Sequence, residues 1–375
     1  MRIIWLIWRD FNHPAHGGAT IYMREVSQRL AARGHEVLVL TSSYPGAASS
    51  ETIGGVRINR IGADWNVGFL GAIMLFLKIL PRAEVVIDDF NVFPFWTPIT
   101  QKKGSLLLVH HLAGDVLDRY DLNPLTRWGI SVLQKLLLVL YEGGTTITPS
   151  VSTRSELLRH GFRPRDVILC PPGLPEVPDP LQESPLKRPE PQAIYLGRVV
   201  PQKGIELVIR AFRLALEEIP TARLLICGRA DPRYHQKLKG LIDSLQISGS
   251  VHLMGYVSAK EKARLLQESH VFVAHSSKEG WGIAAMESMS YGTPVIASDV
   301  PGLRELIRDG VTGWLVEWGN VSELSEKIVD VLQEAKDPTS KYTEIADACR
   351  GEVRAHGFDS TVSLFEETLR RVANS

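Results

Sequence analysis

The sequence feature that most constrains the fold is the stretch His275–Glu287, HSSKEGWGIAAME, which lies between two short apolar runs. Val271–Ala274 has the residue types of a buried strand, and Val295–Ser298 starts a new apolar run after a Gly-Thr-Pro break. Strand, glycine-containing turn, helix and strand, in that order, predict one βαβ unit of an open parallel sheet. The sequence therefore predicts an α/β protein.

The same stretch carries the residue types of a ligand site. Gly280 and Gly282 let a ligand approach the backbone without meeting a Cβ atom. First-turn amides have no helical acceptor and attract anions; here they belong to Gly282, Ile283 and Ala284. Glu279 and Glu287 would lie about 12 Å apart on one side of a helix. A nucleotide sugar, with hydroxyls at both ends and phosphates between, fits this pattern. The alternative is a favourable helix-dipole charge together with a solvated surface residue.

Length and composition limit the class of protein. A chain of 375 residues is long for one core, which favours two domains. Basic and acidic residues balance at 42 each, so the charge gives no indication of a nucleic-acid partner. Cys170, Cys227 and Cys349 are far apart and fit no metal-ligand spacing. No run approaches the roughly 20 apolar residues of a membrane span, and a cytoplasmic location is expected.

The first half of the chain repeats the α/β pattern. Arg2–Trp8 reads as a buried strand, and Gly17-Gly18 reads as a tight turn that opens a helix. The turn is not a G-x-G-x-x-G fingerprint, so a dinucleotide site is not supported. Asp88 and Asp89 end a later strand and are interpreted as polar loop residues. Ser105–His111 is a strand that brings His110 and His111 to its carboxyl end.

One segment of this half admits two interpretations. The apolar helix predicted over Leu125–Tyr141 either packs in the core, the preferred interpretation, or also touches a bilayer surface. Residues 171–191 are dense in proline and predict a semi-rigid interdomain linker.

After the linker, Arg198 closes a strand and Lys203 lies in the next loop, so both cations can converge on one phosphate-bearing ligand.

Three motifs carry a resemblance to a known family. The runs EGWGIAAME, GTPVIASDVPGLRELI and GVTGWLV resemble the E-x7-E region of glycosyltransferase family 4, and Gly197–Gly204 matches its G-R-x4-K-G pattern. Members are retaining enzymes of the GT-B fold. The resemblance implies an α/β protein with two Rossmann-like domains whose parallel sheets face each other across a cleft. The expected division is residues 1–170, the linker 171–191, a donor domain at 192–350, and a helix in 351–375 that returns to the first domain.

The resemblance also implies residue roles. Arg198 and Lys203 would neutralise the departing diphosphate, Glu279 would contact the donor sugar, and His110 would lie beside sugar and acceptor; these four are the expected catalytic residues. Glu287 would bind the nucleotide ribose. The other expected donor-binding residues are Gly17, Gly18, Gly228, Tyr256, Val257, Gly280, Gly282, Ile283 and Ala284.

The sequence departs from the family pattern at two places. Gly-Arg-Ala-Asp at 228–231 replaces the usual Gly-Asp-Gly, so Arg229 and Asp231 receive no role. Cys170-Pro-Pro-Gly-Leu-Pro-Glu replaces the usual Asn-Gly-Val-Asp, and only Gly173 matches.

The function implied is transfer of a hexose from a UDP- or GDP-linked sugar to a hydroxyl acceptor, with retention of anomeric configuration. The acceptor is expected to be a glycolipid, a lipid-linked saccharide or a cell-envelope saccharide. No metal, other cofactor or nucleic-acid partner is expected, and peripheral membrane association is possible. The alternatives are a nucleotide-sugar epimerase of the same architecture and a non-catalytic paralogue that binds nucleotide sugars.

Overall fold

The computed structural model describes residues 1–14, 16–90, 94–101, 103–112, 123–176, 187–337 and 340–374. The chain forms two compact units. Unit 1 consists of Met1–Gly173 and Phe358–Ser375, and unit 2 consists of Leu174–Gly357. Residues 177–186 of the predicted linker lie outside the described residues.

Unit 1 is built on an eight-stranded sheet in the order β3-β4-β2-β1-β5-β6-β7-β8. All neighbouring strands are parallel except β3 and β4, which form an antiparallel hairpin. The strands are β1 Arg2–Leu6, β2 Glu36–Ser42, β3 Ser50–Ile53, β4 Val56–Ile61, β5 Val85–Phe90, β6 Ser105–Val109, β7 Thr146–Thr148 and β8 Val167–Leu169. The helices are α1 Gly18–Ala32, α2 Val67–Phe76, α3 Thr97–Thr100, α4 Pro124–Val139, α5 Val151–Arg159 and, from the end of the chain, α13 Phe358–Ala373.

Helices cover both faces of this sheet. Odd-numbered β5 residues such as Ile87 pack in one cluster with α1 and α13. Even-numbered β5 residues face the other side, where Val86 packs with α2 and Phe90 packs with α4. Because side chains alternate along a strand, α2 and α4 lie on the same face of the unit 1 sheet.

Unit 2 has six parallel strands in the order β11-β10-β9-β12-β13-β14. The strands are β9 Gln192–Leu196, β10 Arg223–Cys227, β11 Val251–Gly255, β12 Val271–Ala274, β13 Val295–Ser298 and β14 Gly313–Val316. The helices are α6 Ile205–Glu218, α7 Pro232–Ser244, α8 Ala259–Glu268, α9 Ile283–Ser290, α10 Leu303–Leu306, α11 Val321–Glu334 and α12 Tyr342–Arg354. Numbered within the unit, the strand order is 3-2-1-4-5-6, the doubly wound Rossmann arrangement.

The far end of unit 2 differs from the expected boundary at residue 350. Helix α12 runs past that position and buries Ile345, Cys349 and Val353 in the same apolar cluster as Met286 of α9. The chain therefore leaves unit 2 only after this packing is complete, and it re-enters unit 1 at Phe358.

Candidate active site

The predicted cations and one predicted carboxylate meet where the strand order of unit 2 reverses. Arg198 follows β9 by two residues, Lys203 ends a 3-10 turn at Pro201–Lys203, and Glu279 follows β12. Strands β9 and β12 are neighbours in the sheet, so these segments leave its carboxyl edge side by side. Lys203 Nζ forms an ion pair with a Glu279 carboxylate oxygen. Open α/β sheets bind ligands at this switch point.

Glycines hold this region in a close backbone arrangement. Gly204 has φ 65°, and a Cβ there would collide with the carbonyl oxygen of His275 and the ring of Trp318. Gly302 has φ 90°, and a Cβ there would collide with the carbonyl of Glu279. A side chain at Gly204 would push the Lys203 turn away from the loop that starts at His275, and one at Gly302 would displace the backbone of Glu279.

The helix that follows Glu279 begins at the glycine turn, where the motif placed its first-turn amides. Gly282 is the N-cap of α9 in a left-handed conformation, φ 104°, and the first helical residue is Ile283. Glu279 therefore precedes the helix, and the helical estimate of about 12 Å between the two carboxylates does not apply. Among the described residues, no acceptor lies opposite the amides of Gly282, Ile283 and Ala284, which leaves the predicted anion donors of this eight-residue helix unpaired.

The second carboxylate of the motif has a partner that the sequence did not indicate. Glu287 on α9 is 4% exposed, and its Oε1 accepts a hydrogen bond from Lys262 Nζ of α8 at 2.6 Å. The sequence separates the two residues by 25 positions. No motif signals Lys262, because only the packing of α8 beside α9 brings it to the carboxylate.

Arg198 differs from Lys203 in having no anionic partner among the residues that the structure describes. In the part of the chain that the structure describes, its guanidinium makes no ion pair, and only its carbonyl oxygen is engaged, by the Tyr195 hydroxyl at 2.7 Å. Gly228, expected to contact the nucleotide, lies behind this turn. Its φ is 145°, and a Cβ there would collide with the carbonyl oxygen of Gly197. Gly228 thus permits close packing of the β9 and β10 ends.

Tyr256 and Val257 follow β11 on the same edge of the sheet. Tyr256 is 61% exposed, and the Arg229 guanidinium lies 4.8 Å from the centre of its ring. Val257 is partly buried against the cluster that also contains Met286. Arg229, to which the sequence assigned no role, therefore stands beside an expected donor-binding residue.

His275 is a further residue of this region that no motif signalled. Its ring is fully buried, stacks on Trp318 at 4.9 Å between centroids, and accepts a hydrogen bond at Nε2 from the Gly319 amide. Burial lowers the pKa of His275 to about 4. The neutral ring braces the start of the loop that carries Glu279.

In unit 1 the expected residues lie at the carboxyl edge of the sheet. Gly17 is the N-cap of α1 with an extended backbone, and Gly18 begins the helix. His110 follows β6, and its Nε2 lies 3.4 Å from the carboxylate of Asp89.

The interpretation of Asp88 and Asp89 as polar loop residues is wrong. Both lie within β5 and are buried. Asp88 accepts hydrogen bonds from the Phe95 amide, the Thr97 hydroxyl and, at 2.6 Å, the Tyr141 hydroxyl. Burial raises the pKa of Asp88, although these hydrogen bonds lower it in part. A carboxylate supplied with donors can be buried at a strand end, which sequence polarity alone does not reveal.

Core packing explains only a minority of the apolar residues of α4. Gln134, Leu137 and Leu138 are buried, whereas Trp128 is 66% exposed. The other exposed large hydrophobic residues of the α4 region are Leu125, Leu133, Leu136, Val139 and Leu140. No helix among the described residues is long and apolar enough to cross a membrane.

Comparisons with known proteins assign the class. The sucrose-phosphate synthase of Thermosynechococcus elongatus superimposes with a TM-score of 0.81 at 22% identity over 100% of both chains. The Anabaena protein HepE in complex with UDP-glucose superimposes with a TM-score of 0.75 at 16% identity, covering 99% of this chain and 100% of that one. The protein has the GT-B fold of glycosyltransferases.

Sequence comparison defines the family. The profile described as glycosyl transferases group 1 matches residues 179–347, and the profile described as glycosyltransferase family 4 matches residues 16–176. The phosphatidyl-myo-inositol mannosyltransferase of Mycobacterium leprae is 26% identical over 89% of this chain and 88% of its own length. The chain belongs to glycosyltransferase family 4 and is a hexosyltransferase, as its motifs predicted.

Proposed function

We propose that the protein transfers a hexose from a UDP- or GDP-linked sugar to a hydroxyl acceptor, with retention of configuration and without a metal ion. The observation that carries the proposal is the convergence of Lys203, Arg198 and the unpaired α9 amides at the switch point of unit 2. Three sources of positive potential at one sheet edge suit a pyrophosphate. The Anabaena protein of this fold, in complex with UDP-glucose, supports a nucleotide-sugar donor.

The ion pairs indicate how the donor would bind. The Lys203 ammonium exchanges Glu279 for a donor phosphate, and Glu279 is then available to the sugar hydroxyls. Arg198 needs no such exchange because its guanidinium has no anionic partner among the described residues. Glu287 presents its carboxylate to the vicinal diol of the ribose, and the ion pair with Lys262 orients that carboxylate.

Catalysis then consists of stabilising charge on the leaving group. The bond between the anomeric carbon and the phosphate oxygen breaks, and the acceptor oxygen forms its bond on the same face. The acceptor proton passes to the leaving phosphate oxygen. Preorganised cations and helix amides are most effective where such charge develops. In this mechanism Arg198 and Lys203 neutralise the charge that develops on the departing diphosphate.

The surface of unit 1 supports a lipid-linked acceptor. Helices α2 and α4 pack on the same face of the sheet and leave large apolar side chains exposed, among them Phe69, Phe76, Trp128 and Leu136. Residues 65–83 and 123–141 contain no Asp or Glu but contain Lys78, Arg82, Arg127 and Lys135. Apolar side chains flanked by basic ones suit an anionic lipid surface. The mannosyltransferase relative is named for a phosphatidyl-inositol substrate.

A thermal-shift panel of nucleoside diphosphates and their sugars tests the donor. A ligand at about 100 times its dissociation constant stabilises by about 2.7 kcal/mol, which for a unit of this size raises the melting temperature by roughly 5–10 °C. Nucleoside monophosphates are the matched control, because they lack the pyrophosphate. If no diphosphate or nucleotide sugar shifts the transition, the proposal fails.

NMR of the product tests the stereochemistry of the transfer, and a chelator tests the metal requirement. With the stabilising donor and a glycolipid acceptor, NMR of the product should show the anomeric configuration of the donor, and excess chelator should not slow the reaction. An inverted product, or activity that needs added divalent cation, would contradict the mechanism. Sugar interconversion without an acceptor would identify the epimerase alternative.

Vesicle sedimentation tests the lipid surface. The protein should sediment with phosphatidylglycerol vesicles more than with phosphatidylcholine vesicles. Phe76→Ser and Trp128→Ser should each reduce the bound fraction, because burying a large apolar side chain contributes roughly 1.5–3 kcal/mol. Leu214→Ser, which alters an exposed apolar side chain of unit 2, is the matched control and should bind as the wild type does. Equal binding by all three variants would refute the assignment of this surface.

A further inference from the structure

A buried carboxylate lies next to one of the expected catalytic residues of unit 1. Asp89 on β5 is 3% exposed. Its Oδ2 accepts a hydrogen bond from Trp5 Nε1 of β1 at 3.0 Å, and both of its oxygens lie 3.4 Å from Nε2 of His110. Asp89 thus joins the ends of three neighbouring strands through side chains alone.

The donor and acceptor roles in this group follow from chemistry. An indole nitrogen only donates, and an ionised carboxylate only accepts. Nε2 of His110 must therefore carry the proton that faces Asp89. In a neutral imidazole the other nitrogen is then an acceptor, so Nδ1 presents a lone pair.

The surroundings hold the His110 ring in this orientation. The Tyr22 ring stands edge-on to it at 5.4 Å between centroids, and the Thr153 hydroxyl donates a hydrogen bond to the His110 carbonyl at 3.2 Å. Trp5, which anchors Asp89 from the other side, is stacked on Phe365 at 5.4 Å. In the described part of the chain, His110 Nδ1 has no hydrogen-bond partner.

We propose that Asp89 is a positioning residue that fixes His110 in its Nε2–H tautomer, so that His110 accepts a hydrogen bond at Nδ1 from a substrate hydroxyl. This inference rests on the proposed function for the identity of the substrate. The tautomer itself is a property of the unliganded protein. His110 thereby offers a sugar hydroxyl an acceptor, whereas the other tautomer would offer it a donor.

The variant Asp89→Asn tests the tautomer with almost no change of shape. Trp5 Nε1 can only donate, so it holds the amide oxygen of the new asparagine. The amide NH2 group then takes the place of Oδ1, 3.4 Å from Nε2. There it opposes a proton on Nε2 and donates to an unprotonated Nε2, and the neutral amide oxygen, already bonded to Trp5, is a weaker acceptor than the carboxylate. We therefore expect His110 to change to its Nδ1–H tautomer, so that the lone pair offered to the substrate becomes a donor.

Nitrogen-15 NMR of histidine-labelled, unliganded protein above neutral pH reads this directly, because protonated and unprotonated ring nitrogens have well-separated shifts. His110→Gln identifies the signal. The wild type should show Nε2–H, and Asp89→Asn should show Nδ1–H. A wild-type ring protonated at Nδ1, or the same tautomer in both proteins, overturns the inference.

A double variant distinguishes an effect of the amide orientation at position 89 from a general loss of native hydrogen bonds. Trp5→Phe removes the indole donor, so in Trp5→Phe/Asp89→Asn the amide can rotate and its oxygen can accept the Nε2 proton. The double variant should regain the Nε2–H tautomer, although it lacks one more native hydrogen bond than Asp89→Asn. If the double variant keeps Nδ1–H, the proposed role of Trp5 in orienting residue 89, and with it the inference, is wrong.

The kinetic consequence is measured in the transfer assay. A mismatched buried hydrogen bond should lower kcat/KM about 10- to 100-fold in Asp89→Asn, with partial recovery in the double variant. Unchanged kcat/KM in Asp89→Asn, despite the changed tautomer, would show that His110 meets no substrate hydroxyl and would overturn the inference. A wild type that transfers no hexose contradicts the proposed function, whereas the substrate-free NMR result still decides the tautomer.

Discussion

The two units share one sheet architecture but prepare their carboxylates in opposite ways. In unit 2, Glu279 and its partner Lys203 both have partly exposed side chains. In unit 1, Asp89 is buried and contacts an indole and an imidazole. Water-accessible ion pairs can exchange partners with a charged ligand at low cost, whereas a buried carboxylate between fixed donors cannot. Unit 2 is therefore suited to exchange an ion pair for a phosphate, and unit 1 to fix the direction of a hydrogen bond.

The two units also differ in how many large hydrophobic side chains they leave exposed. Most exposed large hydrophobic residues of the described chain belong to unit 1, and those of α2 and α4 lie on one face. The few in unit 2, such as Leu214, Met254 and Val311, are scattered in the sequence. Isolated exposed apolar residues are normal, whereas a concentration of them marks an interaction surface. Unit 1 thus has the surface for an apolar partner.

The largest expected effect tests the assignment of α13 to unit 1. Phe365 is fully buried and stacked on Trp5. Phe365→Ala should lower the free energy of unfolding of unit 1 by about 3–5 kcal/mol, measured by urea denaturation. Leu214→Ala, on an exposed helical surface of unit 2, should change it by less than about 0.5 kcal/mol. Equal effects of the two substitutions would show that α13 does not complete the unit 1 core.

The next largest effect concerns the exchangeable cations of unit 2. Lys203→Ala and Arg198→Ala should each lower turnover at saturating donor by about 10²–10³-fold, the usual cost of losing one preorganised donor to a developing charge. Lys237→Ala, which removes an exposed ion pair with Glu206, is the control and should leave turnover unchanged. Near-wild-type turnover of both site variants would contradict the leaving-group role.

Acid should destabilise unit 2 through its buried histidines. Burial lowers the pKa of His270 and of His275 to about 4, against an ordinary 6.5. Between these values the unfolded chain binds more protons than the folded one, so stability falls as the pH falls from 6.5 to 4. Each histidine lowers the free energy of unfolding by about 3 kcal/mol as the pH falls through this window. Urea denaturation of the wild type and of His275→Gln across the window should show a weaker pH dependence in the variant; identical slopes would exclude the histidine's contribution.

The smallest expected effects concern the Glu287 carboxylate and its ion pair with Lys262, and both are changes in the affinity for a nucleoside diphosphate. Glu287→Gln should weaken binding of the nucleoside diphosphate about 10- to 100-fold, because hydrogen bonds to a charged group contribute roughly 1.5–3 kcal/mol. Calorimetry measures this. Lys262→Met should weaken binding too, because it leaves a 4% exposed carboxylate without its cation. If Lys262→Met binds the diphosphate as the wild type does, the pair does not orient Glu287.

Much of the donor site could be predicted from local sequence. The elements β12, α9 and β13 lie where the strand, glycine turn and strand pattern placed them. The separation of Glu279 from Glu287 could not be predicted, because Glu279 lies in the turn before α9, where helical rise and rotation do not apply. The apolar pattern of α4 predicted a helix correctly, but periodicity does not show how much of a helix the rest of the protein covers.

What the sequence by itself determined is the alternation of strands and helices, the glycine turns and the grouping of Arg198, Lys203, Glu279 and Glu287 into recognisable motifs. These depend on neighbours a few positions away, where side-chain chemistry and backbone freedom act directly. Only the tertiary structure decided that Lys262 pairs with Glu287, that Asp89 lies between Trp5 and His110, and that apolar side chains of α2 and α4 stay exposed. Those contacts join residues up to 84 positions apart, and strand order, which no local pattern encodes, brings them together.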